Sequence, residues 1–271
     1  MFKGAICVVG RGRWGSSMLA ALRSRGVAAC AADPRRARTN PGWVNAEIFW
    51  LCVPDARIPP ATRQIVKQVE RAGGSMQRRV VLHSSGVYGS EILKDALEAG
   101  AAVASVHPLM SFPTRKPVAL DGVPFAVEAH GRLRMKLFAL IRELGGAPFA
   151  IRAEGKALYH AAAVMASPLL VSLATAAVES ARAGGLSERE AKSLLQPIMT
   201  ATLANFFSQG GPKSFSGPFA RGDAKTLSLH LAALALHPEL DRIYRGLALH
   251  ALDVLPVKHR NGLKRRLKVF S

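Results

Sequence analysis

The first 150 residues alternate short apolar runs with amphipathic stretches, and this alternation constrains the fold more than any other feature. Residues 5–9, 27–32, 48–53, 79–82 and 102–106 read as strands, with helical stretches at 15–25, 60–72 and 90–99 between them. Strands separated by helices predict βαβ units and a parallel sheet covered on both faces. Past a Pro- and Phe-containing loop at 111–122 come a strand at 125–128, a helix at 133–144 and a strand at 148–151. From Lys156 onward only helices are predicted, at 156–183, 187–207, 223–236 and 239–255. Gly184-Gly185 separates the first two, and Ser187 with Glu190 three residues on has the spacing of a capping box. The chain is therefore read as an α/β domain with a doubly wound, mostly parallel sheet over 1–153, followed by an all-α domain over 154–271.

The first strand runs into Gly10-Arg11-Gly12-Arg13-Trp14-Gly15, a G-x-G-x-x-G between a strand and a helix. In that context the motif is a Rossmann-type dinucleotide loop. Gly10 permits the tight turn, Gly12 lets backbone approach a pyrophosphate, and Gly15 lets helix pack on strand. The helix N-terminus offers free N–H groups to phosphate, to which Arg11, Arg13 and Ser16 can add contacts. The second strand ends Ala32-Asp33-Pro34-Arg35-Arg36. An acid there holds a ribose 2′-hydroxyl, whereas arginines accommodate a 2′-phosphate. Asp33 speaks for NAD, Arg35 and Arg36 for NADP, and the basic cluster tips the reading to NADP.

Other polar groups gather where strands end, at the sheet edge that binds ligands in such folds. Val53-Pro54 follows one strand, and His83-Ser84-Ser85-Gly86 follows the next. Ser84, Ser85 and Gly86 can hold a nicotinamide amide or a substrate carboxylate. His107 ends a further strand and is a candidate proton donor, or a turn residue bonded to backbone. Lys156 and His160, with Ser167, share one face of an apolar helix, where either can move the proton that accompanies hydride transfer. The bland alternative is a Lys at an exposed first turn and a hydrogen-bonded core histidine. Arg221, in a Gly-flanked loop, can clamp a substrate carboxylate or phosphate, and Asp223, at the position of a helix N-cap, is a second candidate substrate contact; the alternative is a capped loop locked by an Arg–Asp pair. Cys7, Cys30 and Cys52 fall in predicted strands and read as buried thiols. No metal-ligand spacing of the C-x-x-C or H-E-x-x-H kind occurs, so no metal site is expected.

Net charge is +19, the one compositional outlier. It is spread over both halves, +11 over 1–150 and +8 over 151–271, with a basic block at 258–268 expected as a surface helix or loose end. A charge-driven nucleic-acid binder would need a reading motif or stacking platform, but aromatic residues are 6% of the chain. The expectation is a small-molecule substrate, anionic given Arg221 and the basic balance, with no specific nucleic-acid partner. Residues 157–178 are apolar enough to span a bilayer, yet His160, Ser167, Pro168, Ser172 and Thr175 fit a helical-domain core better than a membrane. With three cysteines and no signal-peptide layout, a reducing cytoplasm is expected.

The glycine loop, L-C-V-P-D at 51–55, H-S-S-G at 83–86, V-H-P-L-M-S-F at 106–112, K-A-L-Y-H-A-A-A-V-M-A-S at 156–167 and G-P-F-A-R-G-D at 217–223 occur in that order. Together they resemble bacterial proteins that join a Rossmann-like domain to a C-terminal domain of unknown function 2520. That group is similar in architecture to pyrroline-5-carboxylate reductase, the β-hydroxyacid dehydrogenases and 6-phosphogluconate dehydrogenase, with a C-terminal domain like the last of these. The resemblance implies an NAD(P)-dependent oxidoreductase acting on a small carbonyl or imine compound. It also implies a helical domain that closes the site and pairs into a homodimer. The hydroxyacid dehydrogenases carry K-x-x-x-N, which Lys156 matches and His160 does not. Ser167-Pro168 stands where the family reads S-N, a departure that also fits a catalytically silent dinucleotide-binding sensor.

Overall fold

The computed structural model describes residues 2, 4–33 and 42–268. It divides into two compact units, Met1–Ser167 and Pro168–Ser271. The first holds a seven-stranded sheet of β1 (Ile6–Val9), β2 (Ala29–Ala32), β3 (Ile48–Leu51), β4 (Val80–His83), β5 (Ala102–Pro108), β6 (Pro124–Glu128) and β7 (Ala147–Ala150). Strand order is β2-β1-β3-β4-β5-β6-β7, parallel throughout except for the antiparallel β5–β6 pair. The order reverses direction at β1, so the carboxyl ends of β1 and β3 flank the switch point where such sheets take ligands.

Every residue of β1, β3 and β4 is buried, as strands covered on both faces must be. Alternate side chains go to opposite faces. Ile6, Val8, Ile48, Trp50, Val80 and Leu82 pack on one side with α1 (Arg13–Ser24) and α4 (Gly131–Glu143). Cys7, Val9, Phe49, Leu51 and Val81 pack on the other with α2 (Ile58–Arg71) and α3 (Lys94–Glu98). Helix α2 shows the reason: Ile58, Ala61, Thr62, Ile65 and Val69 recur at helical spacing and are all buried. The helix predicted at 90–99 is a 3₁₀ turn, Ser90–Leu93, leading into α3.

The single helix predicted at 156–183 is two: α5 (Lys156–Ala166) and α6 (Pro168–Ala183). Ser167 between them has φ −127° and ψ −86°, outside the helical region. Proline lacks an N–H and crowds the preceding residue out of the α conformation. The division into units falls at this break rather than at 153/154, so α5 belongs with the sheet.

The helical unit comprises α6, α7 (Glu188–Gln209), two short helices at Gly211–Ser214 (α8) and Gly217–Arg221 (α9), α10 (Ala224–Leu234), α11 (Pro238–Val254) and α12 (Arg260–Lys268). Helix α7 starts at a complete capping box, with Ser187 and Glu190 bonding reciprocally. The basic block is a docked helix, not a loose end: Leu263 and Leu267 of α12 are buried against Leu227 and Leu252. Arg245 is 6% exposed and donates to Asp241 Oδ2 at 2.6 Å and to the Leu267 carbonyl at 2.8 Å, tying the end of α12 to α11. The stretch Ala153–Ala183 is long and apolar enough, by length and composition, to cross a membrane.

Candidate functional site

Four parallel strands deliver their following residues to one edge of the sheet: the glycine loop after β1, Val53-Pro54 after β3, the Ser84-Ser85-Gly86 turn after β4, and His107 near the end of β5. At about 4.8 Å per strand, β5 lies roughly 14 Å from β1 along that edge.

The three loop glycines differ in what surrounds them. Gly10 has φ +102°, and a Cβ there would lie 2.7 Å from the Cys52 carbonyl oxygen. A Cβ on Gly15 would lie 1.9 Å from the Gly10 carbonyl oxygen, so α1 packs this close only with glycine. Gly12, the N-cap of α1, has open space where its Cβ would be. It has no capping side chain, and no acid occupies the first turn. Helix N–H groups and exposed Arg11 and Arg13 therefore face a region free of side-chain bulk, which fits an anionic phosphate group. Arg13 also reaches the Phe112 carbonyl, at 3.5 Å.

Trp14 turns inward instead. Its ring lies 5.0 Å from Phe112 and 6.0 Å from Phe125, centre to centre, and its Nε1 donates to Ser84 Oγ at 2.8 Å. Trp50 Nε1 donates to the same oxygen, also at 2.8 Å. Ser84 in turn hydrogen-bonds Cys52, whose thiol burial pushes well above its ordinary range. Trp14 and Ser84 thus pin the glycine loop to the β4 turn. Of the other thiols, Cys7 is buried, whereas Cys30 opposite it on β2 is half-buried and held below the ordinary thiol range, chiefly by its hydrogen bond with Cys7.

The β4 turn is built on two buried side chains. His83 is fully buried; its Nδ1 accepts from the Ser85 N–H at 3.0 Å and its Nε2 bonds the Gly89 carbonyl at 2.9 Å. A carbonyl can only accept and an N–H only donate, so the ring is neutral with its proton on Nε2. Burial lowers it to about 4, with Lys156 pushing the same way. Ser85 Oγ accepts from the N–H groups of Val87 and Tyr88, at 3.3 and 3.2 Å. Lys156 is 0% exposed, and its Nζ donates to the Ser85 carbonyl at 3.0 Å and to Ser105 Oγ at 2.8 Å. Burial lowers its ammonium to about 8, opposed by Glu128, Glu91 and Asp55. Glu128 is itself buried and accepts from Ser90 N and Oγ at 2.6 and 3.0 Å.

Above Gly86 the same turn of α5 brings two more residues to His107. Tyr159 OH lies 2.9 Å from His107 Nδ1, and the His160 ring stands edge-on to His107 with centroids 5.7 Å apart. Gly86 fits between the histidines: a Cβ on it would lie 2.3 Å from His160 Nδ1 and 2.9 Å from His107 Nε2. His160 Nδ1 is buried and has no hydrogen-bond partner among the described residues. His107 is lowered to about 4 by burial, then by Lys156, His160 and His83, while burial raises Tyr159 to about 12.

The structure therefore brings together His107, His160, Ser85, Gly86 and Lys156, with Lys156 beneath the turn. Tyr159 and Ser105 join them without having been singled out in the sequence. Tyr159 stands three residues after Lys156, a helical neighbour on that face, and this spacing was the available signal. Asp33 sits half-buried after β2, while Arg35 and Arg36 lie outside the described residues. Arg221 and Asp223 belong to the helical unit. Arg221 is exposed at the end of α9, and Asp223 caps α10, accepting from Thr226 N at 3.0 Å and Thr226 Oγ1 at 2.7 Å. No group of three metal-ligating side chains occurs among the described residues.

Two family models match the chain, one after the other. Residues 28–108 match the Rossmann-like domain, and residues 123–251 match the domain of unknown function DUF2520. The chain is thus a Rossmann-like protein carrying a DUF2520 domain. No curated protein matches the sequence. Among solved structures, a Bacteroides fragilis protein provisionally assigned as an NADP oxidoreductase aligns with a TM-score of 0.72 at 18% identity, over 90% of this chain and 96% of that one. Protein TM1727 from Thermotoga maritima aligns with a TM-score of 0.68 at 23% identity, over 96% and 99%. An imine reductase from Aspergillus terreus, in complex with a reduced NADP form and dibenz[c,e]azepine, aligns with a TM-score of 0.64 at 16% identity, over 98% and 100%. At these identities the likeness speaks to the fold.

Proposed function

We propose that this protein is an NAD(P)-dependent oxidoreductase acting on a small, anionic carbonyl or imine compound. The carrying observation is the glycine loop: Gly10 and Gly15 are sterically required, and Gly12 leaves open space at the start of α1. Gly10, Arg11, Gly12, Arg13 and Gly15 would hold the pyrophosphate. Asp33, Arg35 and Arg36 would read the ribose, and Val53, Pro54 and the Ser85-Gly86 turn would line the path toward the nicotinamide end. A bound nicotinamide supplies or accepts the hydride. Likeness to NADP oxidoreductases supports the same reading. Arg221 and the net charge of +19 favour an anionic substrate. The three free thiols fit a reducing compartment.

Calorimetric titration with NADPH, NADH and ADP-ribose tests this. Saturable binding is expected, tighter for NADPH than NADH if Arg35 and Arg36 decide the ribose contact. NADH preference would give that role to Asp33. No binding of any of the three would overturn the oxidoreductase reading, and tight binding with no hydride exchange over a broad carbonyl and imine panel would leave a sensor.

We further infer that the helical unit pairs with a second copy. Helices α6 and α7 leave Val171, Leu194, Ile198 and Phe207 exposed by 66%, 63%, 62% and 82%. An apolar cleft of about 320 Å³ between α6 and α11 is lined by Leu173, Ala176, Ile243 and Leu247. Large apolar side chains left this exposed on neighbouring helices favour an interaction surface. Light scattering is expected to give twice the 28.9 kDa chain mass, and Ile198→Glu to shift it toward the monomer. A wild-type monomer at micromolar concentration would refute pairing.

A further inference from the structure

Resting on the oxidoreductase reading, we propose that the Tyr159 hydroxyl, held in place by His107 Nδ1, is the binding site for a substrate carbonyl oxygen. Tyr159 then gives that oxygen its proton, and the substrate is an aldehyde or ketone rather than an iminium ion.

Geometry separates the candidate proton donors. Lys156 is wholly enclosed, with its ammonium bonded to the Ser85 carbonyl and Ser105 Oγ. To touch a ligand it would have to abandon both partners and leave its pocket. It is a positioning residue that holds the β4 turn. Tyr159 and His107 are half-buried, hence reachable, at the carboxyl end of β5. A phenol hydroxyl has one donor and two acceptor positions. The 2.9 Å contact with His107 Nδ1 is the one hydrogen bond of the Tyr159 hydroxyl among the described residues. Phe149, with ring centroids 5.9 Å away, packs edge-on against the phenol and restrains it.

Charge then chooses the substrate. An iminium ion is already protonated and is bound best beside an anion. A carbonyl oxygen gains negative charge as hydride arrives and is bound best by donors. The groups that meet at His107 are a phenol and a second imidazole, with a buried ammonium behind the turn. The nearby carboxylates serve elsewhere: Glu128 accepts from Ser90, and Glu91 accepts from the Gly89 N–H at 3.1 Å. Asp55 and Glu91 act on Lys156 only at longer range.

The step balances simply. A bound reduced nicotinamide would supply the hydride for the new C–H bond and be left oxidised; as the C=O π bond breaks, the Tyr159 hydroxyl proton forms the O–H bond. Phenolate recovers a proton from His107 Nδ1 while Nε2 takes one from water.

The test uses the full-length protein with isotopically labelled histidine and tyrosine. It is titrated with small aldehydes and ketones and with matched cyclic iminium salts, first without cofactor and then with NADP⁺. Magnetic resonance reads His107 and Tyr159, and turnover with NADPH is measured on the same series. Carbonyl ligands are expected to shift the His107 signal in wild type but not in Tyr159→Phe. That variant should keep its NADPH affinity and lose about 100-fold or more in carbonyl turnover. Carbonyl ligands that leave His107 unmoved, carbonyl turnover unaffected by Tyr159→Phe, or turnover of the iminium salts in preference to the carbonyls would overturn the proposal while leaving the oxidoreductase reading intact. Failure to bind NADPH at all would overturn both.

Discussion

Acid is expected to destabilise the sheet unit well above the ordinary carboxylate range, and His83→Gln to remove the share that His83 supplies; His107, lowered to about 4 as well, supplies a second share that remains. His83 accepts from the Ser85 N–H and donates to the Gly89 carbonyl, so a second ring proton would set two N–H groups against each other. Burial adds to this, and the ring is lowered from 6.5 to about 4. Between those values the unfolded chain binds a proton that the folded chain refuses. The stability from keeping this ring neutral is therefore complete above pH 6.5 and is lost as pH falls toward 4. The span corresponds to at most about 3 kcal/mol. A glutamine amide can accept at one end and donate at the other without titrating. Urea unfolding of wild type and His83→Gln at intervals from pH 7.5 to 4 measures the difference. Parallel pH dependence in the two proteins would show that the imidazole is not the titrating group.

Gly86→Ala is expected to lower turnover by about 100-fold while the protein stays folded. The added methyl would fall 2.3 Å from His160 Nδ1 and 2.9 Å from His107 Nε2. Neither ring can stay where it is, and displacing a reacting group by an ångström costs about this much rate. Crowding of this kind destabilises by about 1–3 kcal/mol, within reach of a thermal melt. Gly155→Ala is the control: it lies one residue before α5, has φ −84°, and its Cβ would meet open space. It should behave as wild type. Equal activity of Gly86→Ala and wild type would remove the two histidines from the site.

How legible the site was depends on the kind of signal each residue left. The glycine loop was legible because its demand is local: Gly10 and Gly15 answer to atoms on the β1–α1 turn and on the β3 end beside it. His107 and the Ser84-Ser85-Gly86 turn were legible as strand-end residues, since parallel strands put such residues on one edge. Tyr159 was not, because an aromatic residue at helical spacing usually packs in a core. Its hydroxyl matters only when β5 brings His107 to within 2.9 Å, a pairing of residues 52 positions apart. Lys156 was noticed, but its role depends on depth. Periodicity puts it on the apolar face without saying whether the ammonium reaches solvent.

Sequence alone determined the sheet, the glycine loop and the switch from alternating strands to helices. Each of these follows from patterns a few residues long, in side-chain periodicity and backbone permissiveness. Tertiary structure decided what the patterns leave open. It broke the long apolar helix at Pro168 and left α5 with the sheet. It directed Trp14 and Trp50 onto one serine oxygen. It enclosed the Lys156 ammonium while leaving Tyr159 reachable. Whether a polar group is a strut or a reactant depends on which distant atoms meet it and whether water does, and no short stretch of chain carries that information.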